Sequence, residues 1–180
     1  MNISTEYSAD AASRLCAACG MCCDGTMFQI VRMQPGEVPA ELGKLGLKIR
    51  CRDGEYYMEQ PCSALREKRC TVYEQRPVRC RLFNCQQLGR VERGETTESE
   101  AMTMIVETRA LVEKVRGLIE QSGLREDGQA LVERYERVAS TPVNQALEPE
   151  LVAVREELDE VMRKLKLRLN REFRLPPNSH

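Results

Sequence analysis

Eight of the nine cysteines in this chain fall in two groups, and the one histidine is His180. The first group reads Cys16-Ala-Ala-Cys19-Gly-Met-Cys22-Cys23. The second runs Cys62, Cys70, Cys80, Cys85. Thiolates are charged, polarisable donors. Clustered without histidine, they suit zinc, iron or an iron–sulfur cluster and serve magnesium or calcium poorly. Four around Zn(II) make a tetrahedral site without redox activity; four around iron and sulfide make a centre that moves electrons.

The spacing sharpens this. Cys-x2-Cys-x2-Cys lets one loop offer three sulfurs, with Gly20 turning the backbone inside it. Adjacent residues point different ways, so Cys22 and Cys23 do not easily chelate one ion. They are better placed to serve two centres or a bridging position. Eight sulfurs also make two four-coordinate centres. Cys51 lies outside both groups and reads as a strand residue or accessory thiol. Cys16-x-x-Cys19 has thiol–disulfide oxidoreductase spacing, but no thioredoxin-like alternation surrounds it. Haem attachment is excluded because no Cys-x-x-Cys-His exists.

Other candidates are weaker. Arg66, Lys68, Arg69, Arg76, Arg79 and Arg81 crowd the second cysteine group. Cations there would lower thiol pKa values and donate hydrogen bonds to sulfur. Tyr73 and Phe83 read as packing beside the site. Asp24 reads as a turn cap. Glu156, Glu157, Asp159 and Glu160 read as a solvated helix face, since no Glu-x-x-His accompanies them.

The elements that must position these residues divide near residue 95. Every cysteine precedes Gln86. The reading is α+β: a small, irregular, metal-organised cysteine-rich domain with short strands over 1–95, followed by a helical region over 96–180. Residues 27–33 partly alternate and predict a strand. Residues 47–51 and 55–59 flank Asp53-Gly54 and predict a hairpin. Arg76-Pro77 opens a short helix carrying Cys80. Ala101, Met104, Ile105, Leu111, Val112, Val115, Leu118 and Ile119 follow helical spacing, stopped by Gly123. Leu131, Val132, Tyr135 and Val138 continue it. After Thr141-Pro142, Leu151, Val154, Leu158, Val161, Met162, Leu165 and Leu169 form one stripe, closed by Pro176-Pro177. These helices are expected to pack as a small bundle rather than as a dimerising coiled coil.

Bulk composition restricts the functional classes. A chain of 180 residues with net charge −1 has no global pull toward nucleic acid or anionic membrane. Aromatics are 4% and Trp is absent, so an oily core is thin and a metal must supply what short strands cannot. Nothing in residues 1–14 resembles a secretory signal, and the expected location is the cytoplasm. No phosphate-binding glycine loop, serine–histidine arrangement or dinucleotide fingerprint is present.

The pattern Cys16-x2-Cys19-x2-Cys22-Cys23, then Cys62, then Cys70-Thr-Val-Tyr-Glu-Gln-Arg-Pro-Val-Arg-Cys-Arg-Leu-Phe-Asn-Cys85, resembles the YkgJ-type, or CxxCxxCC, zinc- or iron-chelating domain family. The matching second half comprises Cys70, Val72, Tyr73, Arg76, Pro77, Cys80, Arg81 and Phe83. The resemblance covers residues 14 to 88. It implies a small metal-organised fold. Some relatives are flagellin lysine methylases in which the motif is tied to an iron–sulfur centre, but they are considerably longer and their activity does not transfer.

The expected protein binds zinc or iron, with a 4Fe-4S cluster as one form, through Cys16, Cys19, Cys22, Cys23, Cys62, Cys70, Cys80 and Cys85. Its expected role is structural, metal-handling or recognition of a protein partner through the C-terminal helices. The rivals are an iron–sulfur enzyme, oxidoreductase or methyl-transferring, and a nucleic-acid-associated zinc protein. The sequence leaves open whether the chain is an enzyme.

Overall fold

The computed structural model describes residues 3–125, 128–144, 146 and 148–175, with side chains from residue 11 onward. Pro176-Pro177 and His180 lie outside the described residues. The chain divides into two compact units. One holds the residues up to Cys19, Asn84–Arg125 and the chain from Glu136 on; the other holds Gly20–Phe83 and described residues up to Tyr135.

The first unit is helical. It begins with α1 (Ile3–Cys19), where the sequence predicts irregular structure. Alanines at 11, 12, 17 and 18 favour helix, and Gly20, at φ +65°, ends it in the left-handed region. Cys16 and Cys19 therefore sit on the last turn of a helix and not in a loop. The short α4 (Gln86–Glu92) packs against α1 and against α5 (Glu98–Gln121). A capping box starts α5: Thr97 Oγ1 accepts the Glu100 N–H at 3.2 Å, and Glu100 Oε2 accepts the Thr97 N–H at 2.7 Å. Gly123 stops it at φ +89°.

The predicted stripe becomes α7 (Pro149–Glu172), packed on α5. Leu158, Val161, Met162, Leu165 and Leu169 are buried, as are Ile105, Val112, Val115, Leu118 and Ile119 of α5. Glu156, Glu157, Asp159 and Glu160 face solvent, with Glu157 paired to Lys114 at 2.6 Å. Arg90 of α4 pairs with the nearly buried Glu172 at 2.6 Å, and the Gln87 side chain donates to the Glu172 carbonyl at 2.9 Å. Between α5 and α7, α6 (Leu131–Ser140) follows the predicted spacing. Among the described residues no helix is long and apolar enough to cross a membrane.

The second unit holds short antiparallel strands: β1 (Ile30–Arg32), β2 (Ile49–Arg52) and β3 (Glu55–Glu59), ordered β1-β3-β2. The β2–β3 hairpin turns at Asp53 and Gly54, both at positive φ, the tight Asp-Gly turn expected. A second, minimal hairpin pairs β4 (Leu65–Arg66) with β5 (Arg69–Cys70). Helix α2 (Pro39–Lys44) contacts β2. Helix α3 (Val78–Leu82) follows Pro77, as predicted. The apolar cluster here is small: Leu42, Leu47, Met58 and Ala64, with Val31, Met33, Leu45, Ile49 and Val72 against it. Cys62 and Cys80 pack on the same cluster. Strands this short bury little, so sulfur chemistry sits where a larger domain would have more apolar core.

Candidate metal centre

The loop after α1 is tied down residue by residue. Cys23 and Asp24 N–H groups donate to the Gly20 carbonyl at 2.9 and 3.0 Å. Met27 N–H donates to the Met21 carbonyl at 2.9 Å. Asp24 Oδ1 accepts the Thr26 N–H at 2.9 Å, the turn-capping role expected of it. Gly25 sits at φ +81°, and a Cβ there would lie 2.9 Å from Ala130 Cα, so the loop is pressed closely on its neighbour.

Three further cysteines lie close enough for the Cys23 thiol to sense them. Cys62 N–H donates to the Cys23 carbonyl at 2.7 Å. The Cys62 carbonyl accepts Leu65 N–H at 3.0 Å, and Leu65 pairs across the small hairpin with Cys70. Cys80 comes from α3, whose first turn is met by Glu37: its carboxylate accepts the Val78 N–H at 2.8 Å and the Gln34 N–H at 2.6 Å. Glu37 was not among the sequence candidates, because its role depends on a contact far along the chain.

The charges of these thiols feel one another. Burial pushes the Cys23 thiol up to about 12, with the nearby Cys62, Cys80 and Cys70 adding to the rise. Cys80 is pushed up to about 11, by burial first and then by Cys62, while the Arg76 guanidinium opposes the rise. Burial also raises Cys62, eased by backbone groups at Ala64 and Leu65 and by Arg66. Of the six predicted cations, Arg66 and Arg76 thus act on this thiol set. Arg76 also stacks on Tyr73, 3.9 Å from the ring centroid. Phe83 meets Phe28 edge-to-face at 5.1 Å, the packing role expected.

Cys22 Sγ lies 3.9 Å from Met27 Sδ. Cys16, Cys19 and Cys85 belong to the first unit. Cys16 is exposed, and Cys85 precedes α4, its thiol raised by burial and eased by backbone groups at Leu88 and Gln87. Cys51 is an exposed strand residue. Among the described residues, no three Cys, His, Asp or Glu groups stand in position to hold an ion as they are placed.

Zinc or iron fits the donor set of the second unit in kind: Cys23, Cys62, Cys70 and Cys80 are thiols that share one electrostatic neighbourhood, with guanidinium groups at hand. Ligation requires them to lose protons and draw together. Bound there, such an ion would supply cross-links between the loop, the small hairpin and α3. A protein-family model described as "CxxCxxCC: Putative zinc- or iron-chelating domain" matches residues 15–106. No curated protein and no solved structure matches the chain.

Proposed function

The chain belongs to the CxxCxxCC family, and from that premise we propose that it chelates zinc or iron through Cys16, Cys19, Cys22, Cys23, Cys62, Cys70, Cys80 and Cys85. The observation that supports this reading is the Cys62 N–H bonded to the Cys23 carbonyl at 2.7 Å, with Cys62, Cys70 and Cys80 near enough to raise the Cys23 thiol. In this reading those four form one centre, and Cys16, Cys19, Cys22 and Cys85 are ligands elsewhere. The role is structural and metal-holding: the ion ties together a unit whose apolar cluster is small.

Elemental analysis of protein purified without oxygen tests this. Stoichiometric zinc in colourless protein supports the thiolate site. Iron with sulfide and a brown colour supports the cluster form and opens the enzyme reading. Metal-free protein that is natively folded and takes up neither ion overturns the proposal.

A further inference from the structure

Apart from its thiols, the second unit carries a cavity of about 380 Å³, within the range of small-molecule sites. Its walls come from segments far apart in the chain: the turn from Pro35 into α2, and the stretch from Gln75 into α3. Glu37 clamps the two together, accepting the Gln34 N–H at 2.6 Å and the Val78 N–H at 2.8 Å. Gly36 leaves the entrance clear, since nothing lies within 4 Å of its Cβ position. Val38, Leu42 and Val78 supply apolar lining, and Leu42 belongs to the buried cluster of this unit. The cavity is therefore shaped by a carboxylate bonded to backbone on both sides.

Its charged groups select the ligand. The guanidinium groups of Arg76 and Arg81 both line the cavity. Among the described residues, neither has a hydrogen-bonded or ion-paired partner for its side chain. Arg76 is held over the Tyr73 ring, 3.9 Å from the centroid, and its Nε is buried without a partner. A stacked guanidinium keeps its in-plane N–H groups for an acceptor, and a planar carboxylate matches that fork. On the acidic side, Glu37 is taken up by backbone N–H groups, while the exposed Glu41 opposes any anion. Two cations against two carboxylates leave no surplus for a multiply charged group such as phosphate. We propose that this cavity binds a singly charged carboxylate on a short apolar body. Arg76 and Arg81 donate to it, and Glu41 turns away anions of higher charge. The inference rests neither on ligation by the cysteines nor on which metal they hold.

The test titrates the full chain, isotope-labelled and reduced as purified, with isocaproate. Its neutral amide, isocaproamide, and inorganic phosphate serve as comparisons. The expected result is a saturable shift of the Gly36, Val38 and Val78 backbone N–H resonances with isocaproate, none with isocaproamide, and weaker binding of phosphate. Arg81→Gln should weaken isocaproate binding by about fivefold, the upper scale of an exposed ion pair. Glu41→Gln should do the opposite, tightening isocaproate and narrowing its lead over phosphate. Both residues are exposed, so these variants keep the fold. Arg76 also acts on Cys80, so the Arg81 and Glu41 variants carry the test. Shifts that never saturate, isocaproamide binding as well as isocaproate, phosphate binding more tightly, or an unchanged affinity in Arg81→Gln each overturn the inference.

Discussion

The Cys62 N–H donates to the Cys23 carbonyl at 2.7 Å. This single bond joins the two cysteine groups, one from the loop after α1 and one from the approach to the small hairpin. It fixes backbone against backbone, so the loop and the hairpin approach are held together before any ion binds. An ion then has to draw side chains together, not whole segments.

Cys62→Ser and Cys80→Ser should each lower bound zinc or iron sharply and loosen the second unit, because a hydroxyl is a poor substitute for a thiolate ligand. Cys51→Ser should leave metal content unchanged, since Cys51 is exposed on β2. Metal analysis after gel filtration checks both. Full metal retention in Cys80→Ser would remove that residue from the ligand set.

Raised thiol pKa values give metal binding a steep pH dependence. Cys23 and Cys80 stay protonated well above the ordinary 9.0, so the ion must displace their protons. Affinity should rise with pH through the neutral range, by up to about four decades per unit if four protons leave. Competition with a chromophoric chelator between pH 6 and 8 (a range set by about one unit either side of neutrality) measures the slope. In the metal-free chain the sign reverses. Between 9.0 and about 12 an unfolded Cys23 ionises first, so any residual stability falls as pH rises through that window.

Gly25→Ala should destabilise the second unit by about 2 kcal/mol or more, combining left-handed strain with overlap on Ala130. Gly36→Ala carries only the strain at φ +90°, since nothing lies within 4 Å of its Cβ position. Its cost should stay near about 1 kcal/mol. Thermal unfolding and metal content of the two variants make the comparison. Equal effects would show that the close approach at Ala130 is unimportant.

Arg90→Met should cost the first unit about 2 kcal/mol by breaking one of the two ion pairs, from Arg90 and Arg171, that meet the nearly buried Glu172. Burial raises the Glu172 carboxyl, but bonds from Arg90 and Arg171 outweigh it and hold the group below 4.5. This contribution is present above 4.5 and fades as pH falls through the lowered value. Denaturant midpoints at pH 7 and pH 3.5, in wild type and variant, should therefore converge on acidification (a window about one unit below the usual carboxylate range).

How much was legible differs by region. The long helices declared themselves because apolar residues recur at helical spacing over several turns, from Ala101 to Ile119 and from Leu151 to Leu169. The β2–β3 hairpin was legible from Asp53-Gly54, since that pair readily takes positive φ. The first strand is shorter than expected, covering Ile30–Arg32 within the 27–33 segment. Helix α1 is not legible in the same way: its alanines favour helix, but Cys16 and Cys19 at Cys-x-x-Cys spacing suit a ligand loop equally well. Met27 and Glu37 act through contacts that no motif encodes.

By itself, the amino-acid sequence determined the kind of chemistry: thiol identity and spacing select soft metals, and apolar periodicity selects helices, because both depend on near neighbours. Only the tertiary structure decided that Cys62, Cys70 and Cys80 lie near enough for the Cys23 thiol to sense them and that the Cys22 sulfur touches Met27. That choice follows from where Gly20, Gly25 and the Cys23–Cys62 bond turn the backbone, and from how burial and neighbouring thiols set each sulfur's charge. Such partners lie far apart along the chain, and only folding brings them within reach.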